Sequence, residues 1–298
     1  MGKNHQRNLD IKKICLGTAN FGSNYGYKND KLNKEDLKKI IYKAKKENIK
    51  FFDTAFSYKD SEKNLGKFAN KSFEIITKIP KVPSFETNIK KWIKVTIDKS
   101  FKNLKKDKIY GILIHDIKVL ENKRKAKIIL KYLEELKNKK KIQKIGISVY
   151  SLNELKKCFK VYNFQIVQFP FNIFDNRIIK SKLILKLKKQ NVELHARSIF
   201  LQGLLLEDSK FFEKKFQTHK KKIILFEKWL EKNNLNKLQA CLKFAFKTKI
   251  IDKFVIGISK YDQLIEIIKI LKKRTLINSL PKELKNVSPK LLNPKLWN

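Results

Sequence analysis

FFDTAFSY, Phe51 to Tyr58, ends a short apolar run on an aspartate, Asp53, and puts a tyrosine, Tyr58, in the polar sequence just after it. Two runs of the same kind follow. FEIITKI brings Lys78 to its end, and IYGILIHD brings His115 to its end. Each run is short, almost continuously apolar and followed by a stretch with helical spacing. Strands of a parallel sheet buried on both faces read this way, because neither face needs a polar stripe.

Working outward, the pattern extends in both directions. IKKICLGTANFG (Ile11 to Gly22) opens the series, and KIGISV, FQIVQFP, VELHARSI and FVIGIS continue it, giving eight apolar runs in all. Helical patterns separate them. From Asn33 to Asn48, residues Leu37, Ile40, Ile41 and Ala44 recur at i, i+3, i+4, i+7, with Asn33 suited to the cap and Glu35 and Asp36 to the first turn. Further helices are expected at Glu62–Ala69, Ile89–Leu104, Lys123–Asn138, Leu152–Phe159, Ile178–Lys189, Ile223–Lys232, Lys237–Phe246 and Tyr261–Lys272. Leu201 to Lys222 has no clear period and is long for a connection, as a lid or cofactor-covering loop would be.

Eight strands alternating with helices close a (β/α)8 TIM barrel, expected as a single domain with its core at about 11–272 and an irregular basic tail at 273–298. The competing architecture is an open doubly wound sheet. It would carry GxGxxG directly after its first strand, and GTANFG does not have that spacing.

Composition narrows the function classes. The balance of 70 Lys+Arg against 28 Asp+Glu gives a formal net charge of +42. The lysines run from end to end, arginine is scarce, and Ile, Asn and Phe are also abundant, the signature of an AT-rich coding bias rather than of a nucleic-acid patch. No specific nucleic acid is therefore expected, only a general attraction for anions. Cys15, Cys158 and Cys241 are far apart and lack CxxC or Cys/His spacing, so neither a disulfide framework nor a metal site is expected. The N-terminus lacks the apolar core of a signal peptide, and no apolar run approaches the roughly 18 to 20 residues needed to cross a bilayer. A cytoplasmic protein without membrane contact is the expectation.

In such a barrel the active site lies at the C-terminal ends of the strands. Asp53, Lys78 and His115 end three consecutive strands, and Tyr58 lies in the loop after the first of them, so topology alone brings them to one rim. A free tyrosine has a pKa of about 10 and at neutral pH is a reluctant donor. A nearby ammonium lowers that pKa, and a carboxylate holds the ammonium in place. Tyr58 is expected to donate a proton, Lys78 to tune it, Asp53 to anchor Lys78, and His115 to orient a carbonyl. No side chain supplies hydride, so a nicotinamide cofactor is required.

The tetrad and its spacing resemble the aldo-keto reductase superfamily, and the likeness runs from LGTANFG to VIGISKYDQL. It implies catalysis by Asp53, Tyr58, Lys78 and His115 with NADPH, NADH being the alternative, on a small-molecule carbonyl substrate. By the same resemblance Gln168 meets the nicotinamide carboxamide, and Ser148 is the serine of a strand-end Ser-Asn pair. RSIFLQGLL wraps the pyrophosphate with Ser198, Gln202, Gly203 and Leu204. Thr18 lies beside the cofactor, and Gly257, Ser259 and Gln263 fall at the adenosine phosphate end. The chain departs from the family pattern at four places. Val149 replaces the usual asparagine, Arg197 stands where many members place a stacking tyrosine, Gln263 replaces a frequent arginine and Gly257 a frequent lysine. Lys260 is the one nearby cation in that segment.

Tyr25, Tyr27, Phe56, Trp92, Tyr150, Phe171, Phe174 and Phe200 are candidate rim aromatics. FGxxYG, QFPFNIFDNR and RSIFLQGLLL resemble a bacterial branch associated with sugar and surface-polysaccharide metabolism, which implies a sugar-derived aldehyde or ketone. The alternative from another class is a barrel that binds the cofactor in a regulatory role with little catalysis.

Overall fold

The structure, a computed structural model, describes all residues except 1–10, 23–25, 27–31, 70–71, 212–218, 274–279, 282–283, 285–286, 293–296 and 298. Eight parallel strands close into a barrel in sequence order, each hydrogen-bonded to the next and the last to the first. They are β1 Ile14–Gly17, β2 Phe51–Asp53, β3 Glu74–Ile79, β4 Ile109–Ile114, β5 Ile142–Ser148, β6 Ile166–Pro170, β7 Glu193–Arg197 and β8 Lys253–Gly257. Closure pairs Ile14 with Phe254 and Gly17 with Gly257. This is the (β/α)8 barrel expected from the apolar runs.

The helices form the outer ring: α1 Lys34–Lys46, α2 Ser61–Phe68, α3 Ile89–Leu104, α4 Lys123–Asn138, α5 Leu152–Phe159, α6 Lys182–Lys189, α7 Lys220–Lys232, α8 Lys237–Phe246 and α9 Tyr261–Lys272. In α1 the buried residues are Leu37, Ile40, Ile41 and Ala44, and Asn33 Oδ1 accepts from the Asp36 backbone N–H at 2.7 Å. Cap and stripe together set where the helix begins and which face it buries. Two helix starts differ from the sequence expectation by three residues or more. The helix expected from Ile178 begins at Lys182, because Ser181 Oγ caps it through the Ile184 N–H, and the helix expected from Ile223 begins a turn earlier at Lys220. The short helix α10, Pro289–Leu292, lies in the tail expected to be irregular, and Leu284, Val287, Leu291 and Leu292 there are buried.

The main core lies between strands and helices, and a small separate cluster of Cys15, Ile76, Leu113 and Ile166 fills the barrel interior. Its tightness shows at Gly146, where an added Cβ would stand 2.7 Å from Ile166 atoms. Below this layer the interior turns polar. Glu193 accepts from Tyr110 Oη at 2.6 Å and Lys144 Nζ at 2.5 Å, and it pairs with His195 Nε2 at 3.0 Å. Above it the interior opens toward the strand ends that carry Asp53 and Lys78.

Candidate active site

Lys78 is 1 % exposed and Asp53 3 %, so neither charge is tolerable alone. Lys78 Nζ donates to Asp53 Oδ1 at 2.5 Å and to the Thr54 carbonyl at 2.9 Å. Gln168 Nε2 donates to Asp53 Oδ2 at 2.7 Å, and Ser148 Oγ donates to Gln168 Oε1 at 3.4 Å. Strands β2, β3, β5 and β6 thus meet in one buried network.

Tyr58 stands above this network. Lys78 Nζ lies 5.3 Å from the Tyr58 ring centroid, and the His115 ring meets the Tyr58 ring edge to face, with centroids 6.0 Å apart. Ser57 Oγ lies 3.5 Å from His115 Nδ1. Burial pushes the Tyr58 phenol well above its usual pKa, the Asp53 charge adds to the rise, and Arg197 opposes it. The expected depression of Tyr58 by Lys78 is therefore not what this geometry produces. Burial and the Asp53 charge outweigh the cations near the phenol, of which Arg197 opposes the rise.

Arg197 ends β7 and packs over the Tyr150 ring, its guanidinium carbon 4.1 Å from the centroid. It donates to Val149 O at 3.2 Å, Ser198 Oγ at 3.3 Å and Ser148 Oγ at 3.4 Å. Val149, standing in place of an asparagine, contributes its backbone carbonyl to this contact. The chain then turns sharply, with positive φ at Ser198, Leu201, Gln202 and Gly203. Gly203, at φ 97°, is where the absence of a side chain matters most. Asn172 Nδ2 holds the turn through the Ser198 carbonyl at 3.1 Å.

A cleft of about 1430 Å³ opens at this end of the barrel. Of the residues expected at the site, Thr18, Asp53, Tyr58, His115, Gln168, Arg197, Ser198, Gln202, Gly203, Gly257, Ser259 and Gln263 line it. Lys78 and Ser148 are buried behind the wall, and Leu204 is 0 % exposed in the core rather than at the surface expected to touch a pyrophosphate. Lys260 is not on the lining either. Thr18 joins the first two loops, its Oγ1 2.7 Å from Ser61 Oγ and 3.1 Å from the Asp53 carbonyl.

Of the rim aromatics, Tyr150 and Phe200 line the cleft. Phe171 and Phe174 are core, Phe171 stacking on Phe244, and Trp92 packs against the core. Tyr25 and Tyr27 lie outside the described residues. Of the expected lid, Leu201–Leu206 and Ser209–Phe211 form short 3-10 turns, Lys220–Lys222 belong to α7, and 212–218 lie outside the described residues. Sequence reasoning missed Lys237, 13 % exposed at its side chain, which fastens that loop by bonds to the Glu207 carbonyl at 2.6 Å, Asp208 at 2.7 Å and Glu227 at 2.7 Å. It also missed Glu231 and Glu266 on the cleft wall. In a chain this rich in lysine, nothing in the linear sequence marks Lys237 out.

The barrel is similar to solved aldo-keto reductases. One is the aldo-keto reductase AKR11C1 from Bacillus halodurans in its holo form, with a TM-score of 0.70 and 18 % identity over 89 % of this chain and 88 % of that one. Another is the glycerol dehydrogenase AKR11B4 from Gluconobacter oxydans, with a TM-score of 0.63 and 21 % identity over 91 % of this chain and 88 % of that one. At such identities the likeness speaks for the fold. Among curated proteins none matches the sequence significantly. The family itself is settled by sequence, since the model of the Aldo/keto reductase family matches residues 13–286, nearly the whole chain, and the protein belongs to that family.

Proposed function

We propose that this oxidoreductase reduces an aldehyde or ketone to an alcohol, with Tyr58 giving the proton to the carbonyl oxygen. The observation that carries the proposal is the place of Tyr58, on the cleft wall between the Lys78–Asp53 pair and His115. A nicotinamide dinucleotide held in this cleft, NADPH by the family resemblance or NADH, would supply the hydride.

The residues present fit such a cofactor. The cleft is larger than the roughly 300–1,000 Å³ of a typical small-ligand pocket, leaving room for a dinucleotide beside a substrate. The turn from Ser198 to Gly203, with Arg197 at its start, is the kind of irregular backbone that offers N–H groups to phosphate oxygens. Gln168 lies on the lining of the same cleft, where its amide, already bonded to Asp53 and Ser148, would meet a carboxamide.

The protein groups divide the remaining work. Burial keeps the Tyr58 proton on its oxygen until a carbonyl is close enough to take it. Lys78 and Arg197 then face the phenolate as it forms, so the developing charge meets cations already in place. Asp53 keeps Lys78 from withdrawing, and His115 orients the carbonyl oxygen toward Tyr58. The sequence likeness to a sugar-metabolising branch, and a structural neighbour that is a glycerol dehydrogenase, support a polyhydroxylated substrate.

The test is to titrate the purified protein with nicotinamide cofactors by fluorescence and assay an aldehyde panel alongside Tyr58→Phe. Turnover undiminished in that variant overturns the proposal.

A further inference from the structure

Resting on the assignment of the cleft as a dinucleotide site, we infer that it prefers the unphosphorylated cofactor, NADH, and that Glu266 sets the preference. Tyr58 and His115 fix the end where the nicotinamide must lie, because proton and hydride go to one carbonyl group. From there the cleft passes Arg197 and the Ser198–Gly203 turn and ends against β8 and α9, at Gly257, Ser259, Gln263 and Glu266. The adenosine ribose of a dinucleotide laid along it comes to that end.

Two independent features there disfavour a phosphate on the ribose. The first is charge. Glu266 of α9 is exposed on the lining, and Glu231 of α7 also lines the cleft. Lys237, on the same wall, is held by Asp208 and Glu227, and Lys210 belongs to the loop side with Glu207 and Asp208. In a chain with 70 basic and 28 acidic residues, the described lining on this side nonetheless carries Glu207, Asp208, Glu227, Glu231 and Glu266 against Lys210 and Lys237.

The second feature is the start of α9, whose N–H groups would otherwise suit a phosphate. Gln263 Oε1 already accepts from the Ser259 N–H at 2.8 Å and the Lys260 N–H at 3.3 Å. A 2′-phosphate, with a charge of about −1.5 to −2 at neutral pH, would meet a carboxylate and an occupied helix end. A ribose with both hydroxyls free would offer two O–H donors to a carboxylate, which only accepts.

The experiment is a fluorescence titration of the full-length protein with NADH and NADPH at 0.15 M salt, for wild type, Glu266→Lys and Lys260→Ala. The wild type is expected to bind NADH more tightly by about fivefold or more, and Glu266→Lys to shift the ratio toward NADPH by a similar factor. Lys260→Ala should leave the ratio within about twofold, since Lys260 is not on the lining. Tighter binding of NADPH by the wild type, a ratio unmoved by Glu266→Lys, or loss of NADPH binding in Lys260→Ala overturns the inference while leaving the dinucleotide site intact. Binding of neither cofactor overturns the proposed function as well.

Discussion

Gln168 donates to one oxygen of Asp53 at 2.7 Å while Lys78 holds the other at 2.5 Å. The amide expected to meet the cofactor therefore also steadies the aspartate that steadies the lysine. Gln168→Ala removes a donor from a carboxylate that is 3 % exposed. We expect a loss of stability of about 1–3 kcal/mol and a fall in kcat as Lys78 loosens. Urea denaturation and steady-state kinetics measure both; an unchanged midpoint with unchanged kcat would show that Asp53 finds another donor.

The raised pKa of Tyr58 has a directional consequence. Burial first, and Asp53 second, keep the phenol protonated beyond the usual value of 10. The rate of carbonyl reduction is expected to show no fall caused by Tyr58 up to pH about 9.5, whereas alcohol oxidation, which needs the phenolate, should climb with pH over the same range. Tyr58→Phe should lower kcat by about 10²–10⁴-fold. Profiles of kcat against pH in both directions decide it.

Acid stability turns on Glu193. Burial alone would raise its pKa, but His195, Lys144 and Tyr110 together bring it from 4.5 to about 2. A folded-state pKa below the unfolded one stabilises above the unfolded pKa, so this contribution is present above pH about 4.5 and is lost as pH falls from there toward 2. Its size is about 2–3 kcal/mol. Glu193→Gln should be less stable near neutrality by that order and should show a flatter loss of stability between pH 5 and 3. Denaturant titrations at several pH values would reveal the difference.

Lys237 ties the loop after β7 to α7 and α8 through Glu207, Asp208 and Glu227. Lys237→Met keeps the side-chain bulk and removes the charge. Cofactor dissociation is expected to quicken by about five- to tenfold, equivalent to ~1–1.4 kcal/mol. Stopped-flow displacement gives the rate, and an unaltered rate would mean the loop does not gate release.

All three thiols are buried, and burial pushes Cys158 and Cys241 up to about 12. Native protein at pH 8 should therefore react with a thiol reagent slowly, and denatured protein at once with three equivalents. Rapid labelling of the native form would show that one of these sites opens readily.

The barrel was legible because strands buried on both faces cannot hide their continuous apolar runs, and the ends of β2, β3 and β4 follow from where those runs stop. The pairing of Asp53 with Lys78 was legible for the same reason. Asn33 was readable as a cap because capping depends on neighbours three residues away. The start of α7 was not, since Lys220 to Lys222 carry no apolar stripe. Longer relationships were also beyond reach. Gln168 and Asp53 are 115 positions apart, and nothing local indicates that Gln168 shares Asp53 with Lys78 or that Arg197 lowers the Tyr58 phenol. The carboxylates Glu231 and Glu266, on different helices, become neighbours of one cleft only when the ring of helices closes.

Closure of the barrel between β1 and β8 also sets a waiting time during synthesis. Gly17 must pair with Gly257, and at about 5–20 residues per second the later strand leaves the ribosome roughly 10–50 s after the first. For that interval β1 presents a bare hydrogen-bonding edge, the feature that invites one nascent chain to pair with another. A chain carrying a net charge of +42 repels its own copies while it waits.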